Sequence, residues 1–247
     1  MIYITGDCHG DYRRFENEIF PEQLEMTKND YVIIAGDFGF WNDDSRQNDL
    51  MNWLTERPFT LLWVDGNHEN YDLLSKYPVE KWHGGDVQFI KPSVIHLRRG
   101  QIYDINGCVI FIFGGASSHD ISGGILEVND PFFDKKRKRL DRLGICYRVN
   151  HLSWWKEEMP NDKEFQEGFL NLKKRDNRVD YIVSHCCSTS TQAMMSAGLY
   201  QADRLTHYFE DIKRTVNYKR WFFGHYHDNR CINDKEILLY EQIIRIW

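Results

Sequence analysis

Short apolar runs alternate with helical spacing in the first third of the chain. Residues 2–5, 31–35 and 59–64 have the length and character of strands, and 31–35 is continuously apolar, as in a strand buried on both faces. Helical periodicity predicts helices over 11–20, 44–57 and 71–76. This β-α-β-α-β order predicts a parallel sheet with right-handed crossovers.

From Val87 onward the pattern changes to short strands without long helices between them. Strands are predicted over 94–97, 101–105 and 109–113, and Asn106-Gly107 between the last two is a hairpin signal. The chain end repeats this pattern, with strands at 230–232 and 236–240 around Asn233-Asp234. We therefore expect an α/β half followed by a more antiparallel half.

Residues 117–168 have no clear strand pattern. They contain the basic run 135–139 and then Ser153-Trp154-Trp155. The basic run is typical of a solvated helix face, and the two tryptophans are expected to pack. A segment this long without strands is usually functional or mobile. We interpret it as an insertion that folds over one mouth of a site, within one domain spanning 1–247.

Composition narrows the class of protein. The 247 residues are 42% hydrophobic, enough for a packed core, and the net charge of -6 does not favour nucleic acid as a partner. The longest apolar runs are too short to cross a bilayer, and no signal-peptide pattern precedes Asp7. Six cysteines without regular spacing indicate free thiols and a cytoplasmic location.

The chemistry is concentrated where five apolar runs end. They are followed by Gly6-Asp7-Cys8-His9, Gly36-Asp37, Gly66-Asn67-His68-Glu69, Ser184-His185 and Gly224-His225-Tyr226-His227. A strand that ends in a ligand, repeated five times, gathers donors along one sheet edge. This mixture of Asp, Asn and His suits two divalent transition ions, and such a pair usually performs phosphoester chemistry.

Spacing suggests how the donors divide. Residues i and i+2 of a strand point the same way, so Asp7 and His9 are expected to grip one ion from one side, and the same reasoning applies to His225 and His227. Asp37 is the natural bridge, because a carboxylate can bind two ions. Asn67 and His185 would complete the second ion.

In order and content, the blocks D-x-H, G-D, G-N-H-[DE], H and G-H-x-H resemble those of the calcineurin-like metallophosphoesterase superfamily. The resemblance implies a four-layer α/β/β/α sandwich of two mixed sheets. It also implies two metal sites and a separate role for His68, which would protonate the leaving alcohol or steady a phosphate oxygen. The implied ligands of one ion are Asp7, His9, Asp37 and His227, and those of the other are Asp37, Asn67, His185 and His225.

The resemblance predicts hydrolysis of a phosphomonoester or phosphodiester. Two ions about 3.5–4 Å apart lower the pKa of a bridging water, whose hydroxide attacks phosphorus. His68, with an ordinary pKa of about 6.5, is the expected general acid. Manganese is the first expectation for the metal, and Fe, Zn, Ni or Co also suit these ligands.

Departures from the superfamily pattern bear on the substrate. Its Ser/Thr protein phosphatases carry arginines after the second block and before Asn-His-Glu, where this chain has residues 38–41 and Asp65. The missing arginines disfavour a protein phosphatase of that type. A narrower resemblance is to small bacterial and phage phosphoesterases, through residues 114–120, Arg148 and Ser153-Trp154-Trp155. It makes Arg148 the candidate phosphate clamp. Asn67 and His119 are further candidates for substrate contact, and the role of His119 stays open.

Two alternatives to a small-substrate phosphoesterase remain. The basic run leaves open a nuclease or nucleotide phosphodiesterase, although a short run is a weak sign of nucleic-acid binding. The other is a scaffold without catalysis, which the complete set of ligand positions and His68 disfavours. Cys8 lies between two ligands and is expected to point away from the metals as a small buried residue.

Overall fold

A computed structural model describes residues 1–247 and contains two large mixed sheets with helices on their outer faces. The helices are α1 (Ser45–Glu56), α2 (Tyr71–Leu74), α3 (Phe133–Leu143), α4 (Asp162–Lys174), α5 (Thr189–Ser196) and α6 (Arg204–Thr215). The strands are β1 (Ile2–Thr5), β2 (Tyr31–Ile34), β3 (Thr60–Val64), β4 (Glu80–Trp82), β5 (Gly85–Lys91), β6 (Val94–Leu97), β7 (Gln101–Ile105), β8 (Cys108–Phe113), β9 (Ile125–Leu126), β10 (Arg148–Val149), β11 (Tyr181–Ser184), β12 (Arg220–Phe223), β13 (Arg230–Cys231), β14 (Glu236–Leu238) and β15 (Ile244–Arg245). None of the helices combines the length and apolar character needed to span a membrane.

The first sheet has the strand order β15-β1-β2-β3-β6-β5-β4. Its centre, from β1 through β2 and β3 to β6, is parallel. Helix α1 connects β2 to β3. Parallel neighbours need such a crossover, because the chain must return to the end of the sheet where the first strand began. The predicted parallel α/β half is therefore confirmed.

The second sheet has the order β13-β14-β12-β11-β8-β7. Hairpins occur at its two margins, where β7 pairs with β8 and β13 with β14. Between them β8, β11, β12 and β14 run parallel. The expectation of a more antiparallel second half is confirmed at these margins, whereas the centre of the sheet is parallel. The turn signals mark only the margins, while α4, α5 and α6 act as crossovers inside the sheet.

Strand alternation divides the core into three apolar layers. Between the sheets lie Ile2 and Ile4 of β1 together with Ile110 and Ile112 of β8. The intervening side chains face outward, where Tyr3 joins the cluster beneath α1. On the far side the outward residue Phe113 of β8 packs against Phe165 of α4 and Phe209 of α6. The period of two along each strand thus builds the predicted four-layer α/β/β/α sandwich.

Two local predictions are wrong. Residues 11–20 form no α-helix, only a 3₁₀ turn at Arg13–Phe15. Tertiary bonds override the helical spacing there, because the Arg14 guanidinium donates to the carbonyls of Asp7 at 2.6 Å and Tyr240 at 2.7 Å. Residues 117–168, expected to lack strands, hold the small parallel sheet of β9 and β10 as well as α3 and the start of α4.

Candidate metal centre

All five ligand blocks directly follow strands, three in the first sheet and two in the second. They come after β1, β2 and β3 on one side and after β11 and β12 on the other. Glycines permit the close approach of these loops. A Cβ on Gly66 would lie 2.0 Å from Oδ1 of Asp37, and one on Gly224 would lie 2.0 Å from Oδ1 of Asp7. The two carboxylates therefore sit directly against backbone that must lack a side chain.

Asp7, His9 and His227 form one group of donors. The Nε2 atoms of His9 and His227 are 3.0 Å apart. The Asp7 carboxylate oxygen Oδ2 lies 3.2 Å from the His227 Nε2 and 3.8 Å from the His9 Nε2. Asp7 is fully buried, whereas the His227 side chain is 50% exposed. This end of the centre opens to solvent.

Asp7, Asp37 and His185 form a second group, all of it buried. The His185 Nε2 lies 3.3 Å from Asp37 Oδ2 and 3.2 Å from the amide oxygen of Asn67. Asp37 Oδ2 also lies 3.7 Å from the His9 Nε2. The Asp37 carboxylate thus lies between the two groups, where a bridging ligand would be.

The buried group of Asp7, Asp37 and His185 directs lone pairs at one point, where a cation could bind. The His185 Nδ1 is 2.9 Å from the backbone carbonyl of Ala35, which accepts its N–H, so Nε2 of the neutral ring carries a lone pair. That lone pair then faces the oxygens of Asp37 and Asn67, which are also electron-pair donors. Burial lowers the pKa of His185, but the Asp37 and Asp7 carboxylates outweigh burial and raise that pKa to about 10. A positive charge at this point is strongly favoured, and a divalent ion would supply it.

His225 lies beside these groups rather than within them. Its ring centroid is 5.0 Å from that of His185, and its Nε2 is 3.0 Å from the His119 Nε2. Its backbone N–H donates to Asp7 Oδ1 at 3.0 Å. His225 and His227 have φ of 71° and 49°, so strand alternation does not apply to them. The idea that both side chains grip one ion from one side is wrong, because the left-handed backbone sends them to different partners.

His68 lies at the mouth of the centre, next to Arg148. The Arg148 guanidinium is 3.4 Å from the His68 Nε2 and pairs with both oxygens of Asp120. The backbone N–H of His68 donates to Asp37 Oδ1 at 2.8 Å. Asp37 therefore orients His68 through the main chain rather than through the ring. Burial lowers the pKa of His68, the Asp37 carboxylate opposes that shift, and the Arg148 charge adds to it.

His119 contacts His225 and an aromatic ring. Its Nε2 faces the His225 Nε2, and its ring stacks on Tyr200 with centroids 5.0 Å apart. Tyr200 is exposed. His119 is thus in reach of the centre, as the narrower resemblance suggested, but its partner in the structure is a histidine.

Sequence reasoning missed three residues around the site. Asp120 binds Arg148, Trp41 donates its indole N–H to the His68 carbonyl at 2.6 Å, and Glu158 accepts two hydrogen bonds from Ser118. Asp120 ends the stretch 114–120 that carries the narrower resemblance, and that resemblance also includes Arg148. Nothing in the spacing of Glu158 pointed to the centre, since its contact with Ser118 spans 40 positions.

Two other positions have structural explanations. Asp65, where the protein phosphatases have an arginine, is buried and bound to Arg99 and to the His96 Nε2 at 3.2 Å. Cys8 is buried in the cluster that includes Tyr12 and Phe38. Burial raises the pKa of the Cys8 thiol to about 12. Neither side chain therefore provides a phosphate contact or a thiolate ligand.

Comparisons with known proteins bear on this geometry. A search of the solved structures found, among its matches, a phosphopantetheinyl hydrolase from Mycobacterium tuberculosis. It is 15% identical, with a TM-score of 0.42, over 97% of this chain and 87% of that chain. A search of curated proteins gave no match. The family described as calcineurin-like phosphoesterase matches residues 1–229. The chain belongs to the calcineurin-like phosphoesterase family and is a metal-dependent phosphoester hydrolase.

Proposed function

We propose that this chain hydrolyses a small phosphomonoester or phosphodiester at a centre of two divalent ions. The observation that carries the proposal is the pair of donor groups on either side of Asp37, whose Oδ2 lies 3.7 Å from the His9 Nε2 and 3.3 Å from the His185 Nε2. His9, Asp7, Asp37 and His227 would hold one ion. The other would be held by Asp37, Asn67, His185 and His225.

The donor set supports manganese as the first choice of metal. Carboxylate and amide oxygens together with imidazole nitrogens accept Mn, and also Fe, Zn, Ni or Co. Divalent ions bound there would supply Lewis-acid stabilisation of the phosphoryl oxygens and a nucleophilic water at neutral pH. The protein supplies the donors, their burial and the groups around the substrate.

His68 is proposed to transfer the proton that the leaving alcohol needs. Its ring lies at the mouth of the centre, and its main chain is fixed from two sides by Asp37 and Trp41. The lowered pKa makes protonated His68 a stronger acid, while fewer rings are protonated at neutral pH. In its neutral form the ring can still donate one N–H to a phosphate oxygen.

Arg148 is proposed to clamp the phosphate. Its guanidinium lies 3.4 Å from the His68 Nε2, and Asp120 already fixes its plane. A guanidinium has five N–H donors in a fixed fork. Those not used by Asp120 remain for phosphate oxygens. His119 completes the proposed substrate-facing set. Asn67, the further candidate for substrate contact, is left out of it, because its amide nitrogen donates to Ser118 and its amide oxygen faces His185.

Residues 117–168 are proposed to be a cap within a single domain of residues 1–247. Arg148 belongs to this segment and reaches His68. The segment is tied down nearby, since Trp155 donates its indole N–H to Asp72 at 2.7 Å. All six cysteines are free thiols, which supports a cytoplasmic location as part of the proposal. The expected partner is a small phosphoester.

A direct test measures hydrolysis of an aryl phosphate by the purified full chain, first stripped of metal and then supplied with Mn²⁺. Activity that appears only with the metal supports the proposal. A protein that binds no transition metal and hydrolyses neither a mono-aryl nor a bis-aryl phosphate would refute it. The ratio of the two rates would assign mono- or diester preference.

A nuclease or nucleotide phosphodiesterase is the second candidate. The observation in its favour is α3, which exposes the basic run 135–139 and has no buried residue. Two of those cations are occupied, because Lys136 pairs with Asp130 and Arg137 with Asp134. A single-stranded oligonucleotide cleaved faster than either aryl phosphate would favour this candidate. Loss of that preference after Lys138→Gln and Arg139→Gln would place the binding on α3.

A further inference from the structure

A buried chain of hydrogen bonds runs from the cap to Asn67. The Asn67 amide nitrogen donates to the Ser118 hydroxyl oxygen at 3.3 Å. On its other side the Asn67 amide oxygen faces the His185 Nε2 at 3.2 Å. Asn67 is 4% exposed and Ser118 is 5% exposed, so bulk water does not compete for these bonds.

Glu158 determines the direction of this chain. The Ser118 hydroxyl donates to Glu158 Oε2 at 2.6 Å, and the Ser118 backbone N–H donates to Oε1 at 2.9 Å. A carboxylate only accepts hydrogen bonds, so it takes the single hydroxyl proton of Ser118. The Ser118 oxygen can then only accept from Asn67. The Asn67 amide must turn its NH₂ toward Ser118 and its oxygen toward His185.

The turn that carries Glu158 is itself fixed. The Arg99 guanidinium donates to the backbone carbonyls of Glu157 at 2.8 Å and Glu158 at 3.3 Å. Arg99 is in turn bound by the buried carboxylate of Asp65. A Cβ on Gly115 would lie 2.5 Å from the Glu158 carbonyl oxygen, which shows how closely the two loops pack. Glu158 is 2% exposed and has little freedom to move away.

We propose that Glu158, acting through Ser118, is a positioning residue that keeps the oxygen of Asn67 directed at the buried metal position. The inference rests on the proposed function, because it takes Asn67 as a ligand of the second ion. If the amide flipped, its NH₂ would face the ion and repel it. Residues that orient ligands in this way typically change metal affinity about 10- to 100-fold when they are replaced.

Two variants reverse or interrupt the chain of bonds. In Glu158→Gln, the new amide can accept the Ser118 backbone N–H and donate to the Ser118 oxygen. The hydroxyl proton is then free for Asn67, whose amide can flip. Ser118→Ala removes the acceptor of the Asn67 NH₂. Ser117→Ala is the matched control, because Ser117 is the neighbouring serine and its side chain makes no hydrogen bond.

The test is a Mn²⁺ titration of the metal-free full chain, followed by calorimetry and by the spin-resonance signal of coupled ions. The native chain is expected to bind two ions. Glu158→Gln and Ser118→Ala should weaken one of them about 10- to 100-fold and leave the other unchanged. Ser117→Ala should match the native chain. In an Asn67→Asp background, where either side chain oxygen can face the ion, Glu158→Gln should cause no further loss.

Each contrary outcome has a defined meaning. Native affinity for both ions in Glu158→Gln and Ser118→Ala would overturn the positioning role. Equal loss of both ions, together with a lower unfolding temperature in both variants, would also overturn it by making these residues general supports of the fold. A native chain that binds fewer than two ions would instead refute the proposed function, and the positioning role with it.

Discussion

The two ends of the centre differ in how far their donors are withdrawn from solvent. At one end His185 is fully buried and Asp37 is 2% exposed, whereas at the other His9 is 26% and His227 50% exposed. The buried donors are fixed by further partners, namely the Ala35 carbonyl behind His185 and Ser118 behind Asn67. At the other end, the His227 ring stacks on the Tyr240 ring, with centroids 4.7 Å apart. One position is thus held from within the protein, while the other opens to solvent.

This difference assigns different tasks to the two positions. The buried position is preorganised, because its ligands cannot rotate without leaving a buried polar group unpaired. The exposed position has the partly exposed side chains of His9 and His227 among its ligands, and solvent reaches it directly. Asp37 lies between the two positions, so its replacement should affect metal binding at both.

Asp37→Asn is expected to have the largest effect. The amide can still accept the His68 N–H, but it lacks the charge and places NH₂ where a ligand is needed. Both ions should be lost, and aryl phosphate hydrolysis should fall by about 10³-fold or more, since the ions supply several kcal/mol of stabilisation. Metal analysis and steady-state rates measure this. Asp43→Asn is the matched control on an exposed carboxylate, and two retained ions in Asp37→Asn would contradict the bridging role.

His68→Ala should separate catalysis from metal binding. Turnover is expected to fall about 10²- to 10⁴-fold, the usual contribution of general acid catalysis, with both ions retained. His207→Ala, at an exposed position of α6, provides the comparison. Native turnover in His68→Ala would remove this ring from the mechanism, and loss of metal would make it a ligand.

Arg148→Gln should reduce kcat/KM about 10- to 100-fold, as expected for lost charge-assisted hydrogen bonds. Its effect should appear with both ions bound, because Arg148 contacts Asp120 and His68 rather than a ligand. Arg142→Gln tests the same change of charge on α3. Equal losses in the two variants would point to general electrostatics instead of a clamp.

Chelation should reveal the smallest effect, a difference in the rate at which the two ions leave. The ion held by His9 and His227 should leave first, because solvent reaches those donors. Removal of Mn²⁺ by a chelator, followed by stopped-flow metal indicators, should show two phases in the native chain. His227→Ala should show the slow phase alone, and a single phase in the native chain would mean that the positions are equivalent.

Periodicity and block order were sufficient to predict much of the fold, and block order predicted donors that the structure brings close together. The runs ending before Asp7, Asp37 and Asn67 are strands because they are short, apolar and punctuated by glycine. Each local signal also marked a donor. These signals depend only on the residues within a few positions of a given site, so they predict local structure.

The wrong predictions concern contacts between distant segments. The helical spacing of residues 11–20 yields to the bonds of Arg14 with Asp7 and Tyr240. The different directions of His225 and His227 depend on left-handed backbone that no spacing rule shows. Asp120 meets Arg148 across 28 positions, and Glu158 meets Ser118 across 40. Such pairs depend on how the cap packs, which the pattern along the chain does not contain.

The most direct measurement is a crystal of the chain soaked in Mn²⁺, with diffraction recorded at the manganese absorption edge. Two anomalous peaks that share Asp37 are predicted. One should contact Asp7, His9 and His227, and the other Asn67, His185 and His225. A single peak, or peaks away from Asp37, would contradict the account of two unequal metal positions joined by one carboxylate.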